Sequence, residues 1–257
     1  MSQLAFEDSG RGSPVVLFVH AFPFDRRMWR RQIDALARHD VRTIAVDLAG
    51  FGASADLPPR RSVDEHADDV AQVLEACGVD RAIAVGLSMG GYVALALARR
   101  HPQRLAGLVL ADTRASGDTE EAKQGRAVNI ERARKQGVAA VFDAMSTAWP
   151  PNADRMHIEE MRSLSAAQNP AGVIAALEMM RDRPDATPTL GQIRVPTRVI
   201  VGSADGLTPP SLAEIMTRSI PGAQQVIIEG AGHFTNIERS AEFDQVLLDL
   251  VRHVRPT

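Results

Sequence analysis

Six short apolar runs rich in Val, Ile and Leu recur along the chain: residues 15–20 (VVLFVH), 41–47 (VRTIAVD), 81–88 (RAIAVGLS), 105–112 (LAGLVLAD), 197–205 (TRVIVGSAD) and 224–230 (QQVIIEG). None alternates cleanly between apolar and polar positions, as a strand with one solvated face does, so they read as strands covered on both faces. Helical patterns lie between them, such as Trp29 to His39 and Val63 to Cys77, the second closed by Gly78 as a C-cap. This alternation predicts a mostly parallel, doubly wound α/β sheet.

The rhythm breaks between about Thr113 and Leu190, where Ala, Met, Glu and Arg dominate and no strand-like run occurs. Helices are predicted there over Thr119 to Lys135, Val138 to Ala148, Asp154 to Ala167 and Pro170 to Arg181. Pro150-Pro151 and Asn169-Pro170 break them. Because the sheet pattern resumes afterwards, residues 113–190 read as a helical insertion over the C-terminal edge of the sheet, where open α/β folds bind ligands. Residues 1–112 and 191–257 then form the core. There is no internal repeat.

Composition narrows the classes of function. A chain of 257 residues, 45% hydrophobic and 24% charged, fits one globular domain with an insertion. A formal charge of −3 supplies no basic footprint for nucleic acid or an anionic membrane, so neither is an expected partner. The single cysteine, Cys77, cannot form an internal disulfide and reads as a small buried apolar residue; no Cys/His spacing marks a zinc site. The N-terminal MSQLAFEDSG has no secretory pattern, and no apolar run approaches the roughly 18 residues of a membrane span, which points to a cytoplasmic protein.

Gly86-Leu87-Ser88-Met89-Gly90 matches G-x-S-x-G in the context that motif needs, with a strand before it and a helix, Gly91 to Arg100, after it. A serine on so tight a strand-to-helix turn is held in a strained backbone, and glycine is wanted two positions either side. The alternative is a plain helix N-cap. A phosphate loop does not fit, since no Lys-Ser or Lys-Thr follows the glycines, and Gly50-Phe51-Gly52 lacks the third glycine of a dinucleotide fingerprint.

A serine hydroxyl needs a base to take its proton, and the base needs an orienting acid. Downstream, Asp205 ends one strand and His233 follows another in Gly230-Ala231-Gly232-His233-Phe234, giving the order Ser, Asp, His. Asp112, which also ends a strand, is the competing acid. His39, His66, His101, His157 and His253 lie on predicted helices or their ends and read as solvated or satisfied structural groups. His20 ends the first strand and is expected to brace its loop. The backbone N–H groups of Met89, just after the serine, and Phe22, in the loop after the first strand, are the candidate donors to an oxyanion; Pro23 has none to give.

These residues resemble the α/β-hydrolase superfamily, and the resemblance covers nearly the whole chain. Besides GLSMGG, the stretch Asp47-Leu48-Ala49-Gly50-Phe51-Gly52-Ala53-Ser54 looks like that family's D-x-x-G-x-G-x-S loop, and Gly230-Ala231-Gly232-His233 resembles its histidine loop. The resemblance implies that Ser88, Asp205 and His233 are the catalytic triad, Phe22 and Met89 the oxyanion donors, and residues from about 113 to 190 the cap. One position departs: Ala21 stands where the family usually has glycine, and a positive φ there would strain alanine. Haloalkane dehalogenases and epoxide hydrolases of this fold carry aspartate in place of Ser88, so ester-type acyl transfer is implied, with no metal or organic cofactor required.

The chain is similar to small carboxylesterases and to 3-oxoadipate enol-lactonase-like members, so the expected partner is a small-molecule ester or lactone. Phe22, Phe24, Met145, Trp149 and Met179 are candidates to line an apolar pocket, while Arg114, Arg126 or Arg181 are candidates to meet a substrate carboxylate. A short-chain carboxylesterase is the preferred reading, a lactonase the alternative. Perhydrolysis by the same triad is a side activity to consider. A non-catalytic ligand receptor or signalling protein on the same fold is the reading of another class.

Overall fold

The computed structural model describes residues 3–254. The chain runs through β1 (Phe6–Asp8), β2 (Val15–Val19), α1 (Arg30–Ala37), β3 (Arg42–Val46), α2 (Val63–Ala76), β4 (Ala82–Leu87), α3 (Met89–Arg100) and β5 (Leu105–Ala111). Four helices follow: α4 (Glu120–Gln136), α5 (Val138–Asp143), α6 (Arg155–Ala166) and α7 (Pro170–Asp182). The sheet then resumes with β6 (Thr197–Gly202), α8 (Pro210–Ser219), β7 (Gln224–Ile228), the short α9 (Thr235–Glu238) and α10 (Ser240–Val254). The seven strands make one sheet in the order β1-β3-β2-β4-β5-β6-β7. Only β1 is antiparallel to its neighbour, β3; all other pairs are parallel.

The two faces of the sheet explain why the apolar runs do not alternate. Along β2, Leu17 and Val19 pack in the layer that holds Val70 and Leu74 of α2 and Val93 and Leu97 of α3. Val16 and Phe18 pack with Leu36 of α1 and Phe243 and Leu247 of α10 on the opposite face. A parallel strand between two helical layers needs apolar side chains at every position. Central β4 is buried at all six of its positions.

All six strands read from the sequence are present. The seventh, β1, is the charged tripeptide Phe6-Glu7-Asp8 at the sheet edge, held by pairing to β3 and carrying no apolar signal of its own. α2 is fixed at its start by a capping box between Ser62 and Glu65 and ends before Gly78, whose φ of +64° suits glycine. The sequence reading gave no range to α8 or α10, although it placed His253 on a predicted helix or its end. In α10 the buried Phe243, Leu247, Leu248, Leu250 and Val251 follow helical spacing, so that signal was there to read. Cys77 is only half-buried, a correction to its reading as a fully buried apolar residue; its carbonyl, at the end of α2, accepts from the Arg42 guanidinium at 3.0 Å.

The helical excursion between β5 and β6 docks on the loops that follow β2 and β3. Gln168 donates to Asp25 Oδ2 at 2.8 Å and accepts from the Gly52 N–H at 2.9 Å, tying two core loops together from the turn before α7. In α7, Gly172 meets Gly50 backbone to backbone: a Cβ on Gly50 would sit 2.9 Å from Gly172 Cα, and one on Gly172 would strike the Gly50 carbonyl. Among the described residues no helix is long and apolar enough to cross a membrane.

Candidate active site

Ser88 stands between the last residue of β4 and the first of α3 with φ 54° and ψ −113°, one of three non-glycine residues with positive φ among the described residues. Such a conformation costs about 1–3 kcal/mol, so the surroundings must hold it. They do so on both sides: the Ser88 N–H donates to the Ala111 carbonyl at 2.9 Å, and the Ser88 carbonyl accepts from Thr113 Oγ1 at 2.8 Å and from the Gly91 N–H at 2.9 Å. The flanking glycines make room for backbone rather than for the serine. A Cβ on Gly86 would strike the Gly90 carbonyl, and one on Gly90 would strike the Val19 carbonyl at the end of β2. α3 therefore begins packed against β4 and β2 with no side chain between.

The loop after β7 brings His233 across the sheet edge. Its Nε2 lies 2.9 Å from Ser88 Oγ and its Nδ1 2.8 Å from Asp205 Oδ2. Asp205, in the turn after β6, is fixed by three further donors: the Leu207 and Thr208 N–H groups reach Oδ1 at 2.8 and 2.9 Å, and Thr208 Oγ1 reaches Oδ2 at 2.6 Å. Burial alone would push this carboxyl up, but the His233 charge and hydrogen bond, together with the Thr208 bonds, outweigh it and hold the pKa at about 2. Asp205 is thus an ionised acceptor for the imidazole.

Asp112, the competing acid, does not reach the histidine. It accepts from the Gly202 N–H at 3.1 Å and from Thr235 N–H and Oγ1 at 3.2 and 2.5 Å, joining β5, β6 and the start of α9. Burial, and then the charge of Asp205, push its carboxyl well above the ordinary range. Its role is to splice strand ends.

Two residues at the site were missed in the sequence. Thr208 orients Asp205, as above. Glu238, in α9, accepts the Gly232 N–H at 2.9 Å and the Phe234 N–H at 3.1 Å, so one carboxylate clasps the backbone on either side of His233. The His233 N–H itself donates to the Ala148 carbonyl of the helical excursion at 2.7 Å. A glutamate five residues after the histidine was the available signal, but only the short turn of α9 bends it back.

His20 braces the loops, as expected: Nδ1–H donates to the Ala21 carbonyl at 3.0 Å and Nε2 accepts from the Leu48 N–H at 3.0 Å. Burial lowers its pKa, which keeps the ring neutral. Ala21 does not have a positive φ, so alanine is unstrained there. His66 departs from its reading as a solvated or satisfied group. It is 2% exposed, its Nδ1 has no hydrogen-bond partner among the described residues, and burial drives its pKa down to about 3.

A cavity of about 290 Å³ opens beside Ser88 and His233. Phe22 and Met145 line it, as the sequence suggested, and so does Met180. Phe24, Trp149 and Met179 do not, which corrects their reading as pocket residues. Phe24 and Trp149 both pack edge-on or tilted against Phe142 and Phe234 in the core, and Met179 lies on the other side of α7 from its neighbour Met180 and faces a separate cavity near Arg60 and Arg61. One stripe of α4, namely Ala122, Gly125, Arg126 and Asn129, forms the opposite wall at helical spacing. Of the three arginines considered for an anion, Arg114 and Arg126 line the cavity, whereas Arg181 pairs with Asp182 elsewhere. Phe22 and Met89 N–H groups make no protein hydrogen bond among the described residues, the latter because the first turn of a helix has no acceptor for it.

The family model described as alpha/beta hydrolase fold matches residues 14–240. Among solved structures, a thermophilic esterase from Thermogutta terrifontis, with malate bound, is 39% identical with a TM-score of 0.93, over 98% of this chain and 94% of that one. The enol-lactonase from Burkholderia xenovorans LB400 is 28% identical with a TM-score of 0.87, over 97% and 96% of the two chains. The sequence is also 28% identical to 3-oxoadipate enol-lactonase 1 of Acinetobacter baylyi, over 95% of this chain and 90% of that protein.

Proposed function

The chain belongs to the α/β-hydrolase fold family, and from that premise we propose that it is a serine hydrolase cleaving carboxylic esters of small to medium acyl chains. The observation that carries this reading is the unbroken line from Ser88 Oγ through both nitrogens of His233 to Asp205, with its serine end in the cavity. In this reading His233 Nε2 takes the Ser88 proton as Oγ attacks the ester carbonyl, and Asp205, ionised at any neutral pH, stabilises the imidazolium that forms. The N–H groups of Met89 and Phe22 receive the oxyanion; each such donor is worth about a hundred- to a thousandfold in rate. His233 returns the proton to the leaving alcohol. Water then repeats the sequence on the acyl-enzyme, restoring Ser88 and releasing the acid.

Residues 113–190 act as the cap in this proposal, since α4, Met145 and Met180 close the cavity over Ser88. A volume of about 290 Å³ lies at the small end for ligand sites, which favours short substrates. Lactone opening is the second reading, supported by the enol-lactonase relatives, and it uses the same groups. A panel of 4-nitrophenyl esters of increasing acyl length beside several lactones, with Ser88→Ala as the blank, separates the two. Turnover of short esters that vanishes in Ser88→Ala is expected, as is labelling of Ser88 by a fluorophosphonate. Turnover of lactones alone overturns the esterase assignment, and absence of labelling in folded protein overturns the hydrolase mechanism.

A further inference from the structure

Among the described residues, the cavity beside Ser88 is lined by two arginines and by no aspartate or glutamate. Three guanidiniums, those of Arg114, Arg126 and Arg183, converge on the single carboxylate of Asp118, whose side chain is fully buried. Burial would raise that carboxyl, but the charges of Arg126 and Arg183 outweigh it and hold it below the ordinary range, so the cluster carries three positive charges against one negative. An excess of partly buried cations is costly unless an anion completes it.

The three arginines are not equivalent. Arg183, 2% exposed in its side chain, is anchored in the fold through both Nη groups: it bonds Asp118, the Met180 and Ser116 carbonyls at 2.6 and 2.8 Å, and stacks over the Tyr92 ring at 4.0 Å, with only its buried Nε unpartnered among the described residues. Arg183 holds Asp118 at Oδ1, and Arg126 holds it at Oδ2. Arg126 gives Asp118 only Nε, at 3.1 Å, and Arg114 only one Nη, while the buried Arg114 Nε, like that of Arg183, has no acceptor among the described residues. Both line the cavity that holds Ser88 Oγ, and donors remain on each.

We propose that Arg126 and Arg114 form a subsite for a carboxylate carried by the substrate itself, so that the preferred substrates are monoanionic half-esters of dicarboxylic acids. Asp118 shows that these guanidiniums accept a planar two-oxygen anion, the geometry for which the arginine fork is suited. The inference rests on Ser88 being the nucleophile, since it concerns what is delivered to that residue.

The test compares monomethyl glutarate with methyl valerate, matched in chain length and differing in the charge, by pH-stat hydrolysis. The wild-type protein is expected to prefer the anionic ester by about tenfold or more in kcat/KM, as one charge-assisted bond supplies. That ratio is expected to fall about tenfold in Arg126→Gln, to be partly kept in Arg126→Lys, and to shrink with added salt. Arg181→Gln, remote from the cavity, should leave it unchanged. Equal preference in the wild type, or a ratio indifferent to Arg126, overturns the subsite. Calorimetric titration of Ser88→Ala with glutarate isolates binding from chemistry. Saturable binding that Arg126→Gln abolishes supports the subsite even if neither ester is hydrolysed, an outcome that would instead overturn the esterase reading; no binding overturns the subsite.

Discussion

Asp112 and Asp205 follow neighbouring parallel strands, β5 and β6, yet only Asp205 touches His233, at 2.8 Å from Nδ1. Asp112 is spent on backbone and hydroxyl donors from Gly202 and Thr235. The two carboxylates therefore separate on mutation. Asp205→Asn is expected to lower kcat by about 10⁴-fold, because an amide favours the wrong imidazole tautomer. Asp112→Asn is expected to keep kcat within about tenfold, since it contacts no reacting group, while costing about 1–3 kcal/mol of stability through a donor left facing the new amide. Steady-state kinetics and thermal melts of both variants check this; the reverse pattern would move the acid to Asp112.

Glu238 holds His233 only through the backbone. Removing its carboxylate frees the Gly232 and Phe234 N–H groups together and loosens the His233 ring between them. Glu238→Ala is expected to reduce kcat by about ten- to a hundredfold with KM little changed, the cost of a small misplacement of a catalytic group. Glu238→Gln, which keeps one acceptor oxygen, should retain more. Equal losses in kcat and stability across both variants would assign Glu238 a purely structural role.

The contact between Gly50 and Gly172 is backbone against backbone, so nothing flexible is available to give way. Gly172→Ala is expected to destabilise the protein by about 1–3 kcal/mol through overpacking. In a domain of this size each kcal/mol lowers Tm by about 2–4 °C. An unchanged Tm by calorimetry would mean that α7 shifts freely on the core.

Asp244, in α10, accepts from Gln32 Nε2 at 3.0 Å, and burial raises its pKa to about 6 from the ordinary 3.8. Between those two values the folded state binds more protons than the unfolded chain, so this group lowers stability as pH rises through that window. Asp244→Asn keeps the acceptor oxygen and removes the charge. It is expected to add about 1 kcal/mol at pH 7.5, discounted for the solvent that still reaches the group, with the gain vanishing below about pH 4. Melts across pH 3.5 to about 8 read the difference, and a gain independent of pH would contradict the assignment.

Much of this architecture is written locally. An apolar run buried on both faces, a glycine closing α2, and a serine between glycines at a strand-to-helix turn are all short-range patterns, and each is legible without reference to the rest of the chain. The order of Ser88, Asp205 and His233 was legible for the same reason, since chain order survives folding. The choice between Asp112 and Asp205 was not, because it depends on how far past β6 and β7 two loops travel before they meet. Pocket residues were the least legible: Met179 and Met180 are adjacent in sequence, but a helix turns about 100° per residue, so one lines the cavity and its neighbour faces away. The gathering of Arg114, Arg126 and Arg183 on Asp118 is likewise a tertiary fact, since residues 65 positions apart share one carboxylate only after α7 has packed on α4.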